Sequence, residues 1–428
     1  MLIPTLRNEG RSGFIQGVGQ IIERRKGLGG KAKVVLEIPK KNMYSDIASR
    51  ENLKKAFAKV KRNKGCAGID QRSVAWFEAN LESQTKELSR LLNQGRYQPL
   101  PVKRVFILKA NGNLRPLGIP AVRDRVAQQA LLEDIQPILE PIMSPSSFGF
   151  RPGKNALQAV SAVKELMEQG YRYVVDADIA DFFGTLDHQV LMAKVRWRIT
   201  DKKTTKLIYQ FLKAGVMEDG KPKTAISGTP QGGVISPILA NLYLNDLDYH
   251  IGKTDWKIIR YADDFVILCK TVNQAVSAYK TASQILGKLK LGYALEKTRV
   301  IDAYQESFTF LGYTFWRNDG KTYSFPSDKA MKAYRQKVAK ATRRQQPKNV
   351  KMAIDKLNPI IRGWGNYFGI GAGKKRFETL DGWTRMRLRS FIQKKHSLSA
   401  MSHTKYPNAY FKGLGLVFLT DLRKTFSL

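Results

Sequence analysis

Two short runs in this 428-residue chain place carboxylates where they could do chemistry. In Tyr261-Ala262-Asp263-Asp264, the adjacent acids stand between the apolar runs Ile258-Ile259 and Phe265-Val266-Ile267-Leu268. An isolated Asp-Asp pair is ordinarily a solvated turn former. Here the apolar flanks read as two buried strands, so the turn between them must project from a core into a cleft. Neighbouring carboxylates repel unless protons or a cation neutralise them. Mg²⁺ typically takes one or two carboxylates plus substrate phosphates, which makes a divalent, oxygen-seeking ion the economical partner. A third acid comes from Asp176-Ala177-Asp178-Ile179-Ala180-Asp181-Phe182-Phe183. Asp178 closes a β-rich stretch, Asp176 lies two residues earlier on the same face, and Asp181 falls beyond the strand. Two ions bridged by such acids can activate a hydroxyl and stabilise a leaving pyrophosphate in an in-line displacement.

The elements that must position these acids follow from periodicity and punctuation. Helical patterns cover 45–61 and 73–93, separated by a Gly-bearing loop at 63–70. Residues 102–120 read as a hairpin turning at Asn111-Gly112, followed by helices at 123–139 and 156–169, the second closed by Gly170. The strand bearing Asp178 spans 171–179, and helices follow at 188–213 and 237–251. The hairpin with the Asp pair at its tip covers 256–270, then come a helix at 271–291 and a strand pair at 307–316. Beyond Ser327 the chain turns helical and basic. Residues 1–48 are Gly-rich, basic and weakly patterned, and read as an arm appended to the fold.

Charge narrows the partners. Lys and Arg number 73 against 36 Asp and Glu, a formal charge of +37, and a folded chain this basic calls for a polyanion such as a nucleic-acid backbone. The excess is graded: residues 321–428 hold 24 basic and 5 acidic residues, so +19 of the total sits in the last quarter. Cys66 and Cys269 are the only cysteines, which excludes a disulfide framework and a four-cysteine zinc site. No apolar run approaches the ~18 residues of a membrane-spanning helix, and the N-terminus lacks the apolar centre of a secretory signal. The expectation is a cytoplasmic protein without a membrane partner, nucleoid-associated in a bacterium.

FGFRPGKNALQAV (148–160), DADIADFFGTLDH (176–188), GTPQGGVISPILANLYLNDLD (228–248), RYADDFVIL (260–268), LEKT (295–298) and FLGYTF (310–315) occur in the order found in group II intron reverse transcriptases. LNPIIRGWGNYF (357–368) and FETLDGWTRMRLR (377–389) continue the likeness into a maturase or thumb region, so the chain resembles that family over roughly 45–428. The resemblance implies an α+β, right-hand polymerase. Fingers would occupy 49–165, and a palm of antiparallel sheet plus helices 166–325. An α-helical thumb or maturase domain would follow at 326–395, then a short nucleic-acid-binding segment at 396–428, with 1–48 as the extension.

It further implies RNA-directed DNA synthesis with two Mg²⁺ ions, Mn²⁺ serving as a substitute. Asp178, Asp263 and Asp264 match the metal-binding triad, with Ile179 beside them in the metal set. Lys297 matches a lysine that protonates the leaving pyrophosphate. Lys109 and Arg115 match the residues gripping the incoming triphosphate, and Gln231 the residue beneath the nucleotide. Gly232 and Gly233 let backbone approach the substrate closely. Phe183 matches the bulky residue that blocks a ribose 2′-hydroxyl, and strand alternation is expected to send it, not Phe182, toward the cleft. Arg343, Arg344, Lys374, Lys375, Arg376, Arg385, Arg387 and Arg389 read as backbone contacts to nucleic acid, and the interleaved Trp364, Tyr367, Phe368 and Trp383 as thumb core. The implied partners are an RNA template, a DNA primer, deoxynucleoside triphosphates, group II intron RNA and a DNA target. The likeness is to compact members without the C-terminal endonuclease domain, which take primers made elsewhere. Two rivals remain: a domesticated relative in DNA repair or defence, and an RNA-binding splicing factor without polymerase activity, which the intact triad argues against.

Overall fold

The computed structural model describes residues 43–108, 114–218, 221–223, 227–229, 232–343, 349–395 and 404–423. Most of the expected N-terminal arm and the Asn111-Gly112 turn lie outside the described residues.

The first layer is helical. α1 (Met43–Ile47) and α2 (Arg50–Arg62) are separate, because Ser49 is extended and its hydroxyl caps α2 at the Asn52 N–H. Tyr44 and Ile47 are buried, so residues 43–48, inside the span assigned to the extension, are part of the fold. α3 (Val74–Ala79) and α4 (Leu81–Asn93) part at Asn80. β1 (Val102–Leu108) and β2 (Leu114–Ile119) pair antiparallel, and α5 (Val122–Leu139) runs through the layer with Val126, Leu131 and Ile135 buried.

Then comes the unit that carries the acids. α6 (Ala156–Glu168), closed at its start by reciprocal Asn155 and Gln158 bonds, leads to β3 (Tyr173–Asp178). α7 (Phe182–Thr185) is a single turn entered through Asp181, whose φ of 36° is left-handed. Asp187 and Asp201 cap α8 (His188–Arg198) and α9 (Lys202–Lys213). β4 (Val216–Glu218) and β5 (Lys221–Lys223) extend the first hairpin into a sheet of order β2-β1-β4-β5. α10 (Ser236–Gly252), β6 (Lys257–Tyr261), β7 (Asp264–Cys269), α11 (Val272–Lys288) and β8 (Arg299–Asp302) complete a central sheet of order β6-β7-β3-β8. Its pairings are all antiparallel.

A third sheet, β9 (Phe308–Phe310), β10 (Tyr313–Asn318) and β11 (Lys321–Pro326), joins this unit to the helices α12 (Asp328–Ala341), α13 (Val350–Phe368), α14 (Lys374–Lys395) and α15 (Asn408–Gly413).

Side chains alternate along a strand, and the central sheet uses both of its faces. Val175, Ala177, Phe265 and Ile267 join one hydrophobic core with α1–α5 and α8–α11. Val174, Ile259, Val266 and Leu268 join a second core with α6, β9, β10 and α12–α15. With both faces covered, the sheet presents polar groups at its strand ends. Phe411, Leu416 and Leu419 belong to the second core, and buried Asp381 accepts the N–H groups of Leu419 and Thr420 at 2.8 and 3.0 Å. The described part of the C-terminal segment is therefore built into the helical domain.

Candidate active site

Asp178 is the last residue of β3 and Asp264 the first of β7, and the antiparallel register sets them directly opposite. Tyr261 pairs with Asp264 across the adjoining β6–β7 hairpin, so Ala262 and Asp263 form a two-residue turn at the same end of the sheet. Ala262 has φ 60°. Such hairpin turns customarily place glycine at that position, and the left-handed region costs an alanine ~1–2 kcal/mol.

The acids open onto a cleft of about 810 Å³. Asp176, Asp178, Asp264 and Lys297 line it together with Thr309, Leu311 and Gly312 and with Lys329, Lys332 and Gln336 of α12. Burial pushes the Asp264 carboxyl up to about 7, and the charges of Asp176, Asp178 and Asp263 add to the rise. Asp176 is pushed up to about 6, again by burial first, and the Arg299 guanidinium 3.7 Å away offsets part of it. The Lys297 ammonium donates to Asp178 Oδ2 at 2.6 Å, a bond that holds its own pKa above the ordinary lysine value.

These residues fit a divalent ion. Among the described residues no group of three or more His, Cys, Asp or Glu side chains closes on one point as a ready-made cage. Mg²⁺ does not require one, since waters and substrate phosphates fill most of its shell. The donors here are hard carboxylate oxygens beside a roomy cleft, and ionising the buried Asp264 among three further acids builds negative charge that a cation would relieve. Ile179 is 3% exposed with an apolar side chain, so its main-chain carbonyl is what it could offer to an ion.

Phe183 lies in α7 and not on a strand, which overturns the alternation argument. The left-handed Asp181 turns the chain into a helical turn, where consecutive side chains diverge by ~100°. Phe182 is 2% exposed and packs edge-on against Tyr243, while Phe183 keeps a partly open face. Behind it, the Thr229 N–H donates to the Phe183 carbonyl at 2.8 Å. A Cβ on Gly228 would meet the carbonyls of Phe183 and Gly184 at 2.8 Å, a close approach that sequence reading missed. Gly232, at φ 117°, also differs from expectation: a Cβ there would lie 2.3 Å from the Gly118 carbonyl, so its freedom serves packing against β2.

Arg115 stands on β2 opposite Ile107. Lys109, Gln231 and Arg344 lie outside the described residues. Arg343, Lys374 and Lys375 are exposed. Arg376 is tied to Asp328 and the Pro326 carbonyl, Arg385 lies over the Phe418 ring, and Arg387 donates to the Thr342 hydroxyl. Arg389 is not a surface contact: it is 3% exposed and donates to the Tyr406 carbonyl at 2.9 Å and to Asn408 at 3.2 Å. Trp364 packs against Tyr334, Phe368 and Phe377 in the second core. The cleft residues Lys329, Lys332 and Gln336 went unread in the sequence, although their spacing of three and four places them on one helical face.

Residues 107–315 match the reverse transcriptase (RNA-dependent DNA polymerase) family, and residues 331–408 match the group II intron, maturase-specific domain. The chain is 36% identical to protein YkfC of Escherichia coli strain K12 over 289 residues, which is 58% of this chain and 76% of that protein. It is 34% identical over 254 residues to the group II intron-encoded protein LtrA of Lactococcus lactis subsp. cremoris, spanning 59% of this chain and 41% of LtrA, less than half that relative's length. An uncharacterised 91 kDa protein in the cob intron of Schizosaccharomyces pombe is 26% identical over 427 residues, covering 79% of this chain and 52% of its own. Among solved structures, a partial Cas6-RT-Cas1–Cas2 complex aligns with a TM-score of 0.38 at 25% identity, over 60% of this chain and 44% of that one.

Proposed function

The chain belongs to the group II intron reverse transcriptase and maturase family, enzymes that make DNA on an RNA template, and from that premise we propose how its residues divide the work. Asp178, Asp263 and Asp264 are the catalytic carboxylates. The observation that supports this most is the register pairing of Asp178 with Asp264 at a cleft that Lys329 and Lys332 also line. Reverse transcriptases use divalent metal; here the ions are two Mg²⁺, replaceable by Mn²⁺, which when bound to the three acids and the Ile179 carbonyl would sharpen the primer hydroxyl and neutralise the leaving pyrophosphate.

Lys297, held against Asp178, supplies positive charge and a proton toward the leaving group. Phe183 presents its open face to the sugar and excludes a 2′-hydroxyl. Lys109, Arg115 and Gln231 bind the triphosphate and the nucleotide. Lys329 and Lys332 neutralise the backbone of the primer–template duplex across the cleft. Exposed Arg343, Lys374 and Lys375 extend that surface toward intron RNA and a DNA target. Fingers at 43–165, palm at 166–325 and a thumb from 326 onward that includes 404–423 describe this division of labour. Among the described residues no helix is long and apolar enough to cross a membrane; a cytoplasmic, nucleoid-associated enzyme suits these substrates.

Primer extension on an RNA template, comparing the wild type with Asp263→Asn, tests the assignment. Mg²⁺-dependent synthesis by the wild type and its loss in the variant are expected. Absence of synthesis by the wild type across several buffers refutes the polymerase role, and equal RNA binding by both forms without synthesis identifies a splicing factor instead.

A further inference from the structure

We infer that a buried polar stripe on α10 braces the Ala262-Asp263 turn, making Asn241, Asp248 and Arg260 positioning residues for the catalytic carboxylates. The inference rests on the polymerase reading of those acids. Asn241, Asn245 and Asp248 follow one another at spacings of four and three, so they share one face of α10. They are only 2%, 8% and 1% exposed. Polar groups buried this deeply destabilise a fold unless they are bonded, and each of them is. Asn245 accepts from the Ser144 N–H at 2.9 Å and donates to the Ile142 carbonyl at 2.8 Å. Asn241 donates to the Gly149 carbonyl at 2.8 Å. Asp248 takes Arg260 in a two-pronged bond, from Nε at 2.8 Å and from Nη2 at 2.6 Å.

Arg260 is completely buried, and its remaining nitrogen, Nη1, reaches two acceptors. One is Asn241 Oδ1 at 2.9 Å; the other is the Ala262 carbonyl at 2.8 Å, one peptide before Asp263. A single guanidinium thus connects the helix to the turn. The loop 146–149 closes the other side: the Phe148 N–H donates to the Arg260 carbonyl at 2.8 Å, and the Arg260 N–H to the Ser146 carbonyl at 3.0 Å. A Cβ on Gly149 would lie 2.5 Å from the Ala262 nitrogen, so the loop backbone presses directly on the turn.

Replacing a buried ion pair with apolar packing is often neutral or stabilising, so stability alone does not account for this arrangement. Direction does. Ala262 sits in a backbone region that alanine leaves unless held, and the Arg260 bond together with the Gly149 contact holds it. Were it to relax, Asp263 and Asp264 would lose their alignment with Asp178, and a misplacement of ~1 Å at a reacting centre costs ~100-fold in rate.

Arg260→Lys keeps a charge for Asp248 but lacks the fork that reaches Ala262. The expected result is a kcat for primer extension lowered at least ~tenfold, with the KM for nucleotide and the Kd for template–primer within ~twofold of wild type. Adding Ala262→Gly should return at least ~threefold of that kcat, because glycine adopts the positive φ without strain. Asn241→Ser makes the same comparison if Arg260→Lys does not fold. Mn²⁺ affinity, read by electron paramagnetic resonance without nucleic acid, should weaken in parallel, and it decides the matter even if the wild type makes no DNA. Failure of wild-type extension would refute the polymerase reading alone. Unchanged kcat and Mn²⁺ affinity in Arg260→Lys, or a loss that Ala262→Gly does not recover, would overturn the brace.

Discussion

Asp264→Asn should abolish DNA synthesis and at the same time make the metal-free protein more stable. The Asp264 carboxyl stands at about 7 against an ordinary 3.8, pushed there by burial and then by three neighbouring acids. The difference, ~3 units at ~1.36 kcal/mol each, sets an upper bound of ~4 kcal/mol on what ionising it takes from the native state. Asp264 keeps a side open to the cleft, and solvent screening lowers the working figure to ~2 kcal/mol. Because the folded-state pKa is the raised one, the native state holds the proton more tightly than the unfolded chain. Stability therefore declines as pH climbs from ~4 and levels off above ~7.

Asparagine stays neutral and can still accept from the Leu311 N–H, so its advantage is near nothing at pH 4 and complete at pH 8. Urea unfolding of both proteins in EDTA, at pH 5 and pH 8, measures the difference directly. Mg²⁺ should stabilise the wild type at pH 8 and narrow the gap. A variant no more stable than wild type at pH 8, or a gap that ignores pH, would show that Asp264 is not buried among its fellow acids as the geometry requires.

Phe183→Val should raise the use of ribonucleotides relative to deoxynucleotides by ~10-fold or more in kcat/KM, whereas Phe182→Ala should instead destabilise the fold by ~3–5 kcal/mol, as loss of a core aromatic does; competitive incorporation and chemical denaturation separate the two. Replacing Lys329 and Lys332 together with Gln should leave synthesis at low salt intact and reduce the slope of log Kd against log salt by roughly two, near one per lost phosphate contact. Arg389→Ala should release the 404–423 segment to limited proteolysis before it alters RNA binding, because the buried guanidinium holds Tyr406 and Asn408; protection equal to wild type would return Arg389 to the surface. Gly232→Ala should destabilise the protein by at least ~1 kcal/mol, through positive φ and the clash with Gly118; an unchanged urea midpoint would contradict that packing.

The acid-bearing end of the sheet was legible because strand physics is local. Apolar flanks marked Ile258-Ile259 and Phe265–Leu268 as buried strands, and their meeting point had to carry Asp263 and Asp264. Local chemistry misled where a single residue broke the pattern. Asp181 takes a positive φ, which Asp adopts more readily than most residues but which its type does not dictate, so the Phe pair was assigned to a strand. Ser49 and Asn80 divide helices that look continuous on hydrophobic spacing, since a cap and an interior polar residue use the same side chains. The arginines of α14 show the other limit. Arg385 and Arg389 stand four apart and share a helical face, so phase does not tell them apart; the burial of Arg389 depends on Tyr406 and Asn408 folding back over it, a tertiary event. The α10 stripe is similar: its spacing is written in the chain, yet its acceptors come from residues about a hundred positions away.

The central sheet is a party wall between two cores, and among the described residues the strands β9 and β10 share the second core with α12–α15. Phe308, Phe310, Tyr313 and Phe315 share one interior with Tyr334, Leu357, Phe368 and Phe377. A cut after Pro326 would tear that interior open, while a graft of α12–α15 alone would arrive without the floor it packs on. The two stretches on either side of Pro326 therefore stand or fall together: loosening the packing of one exposes apolar surface of the other.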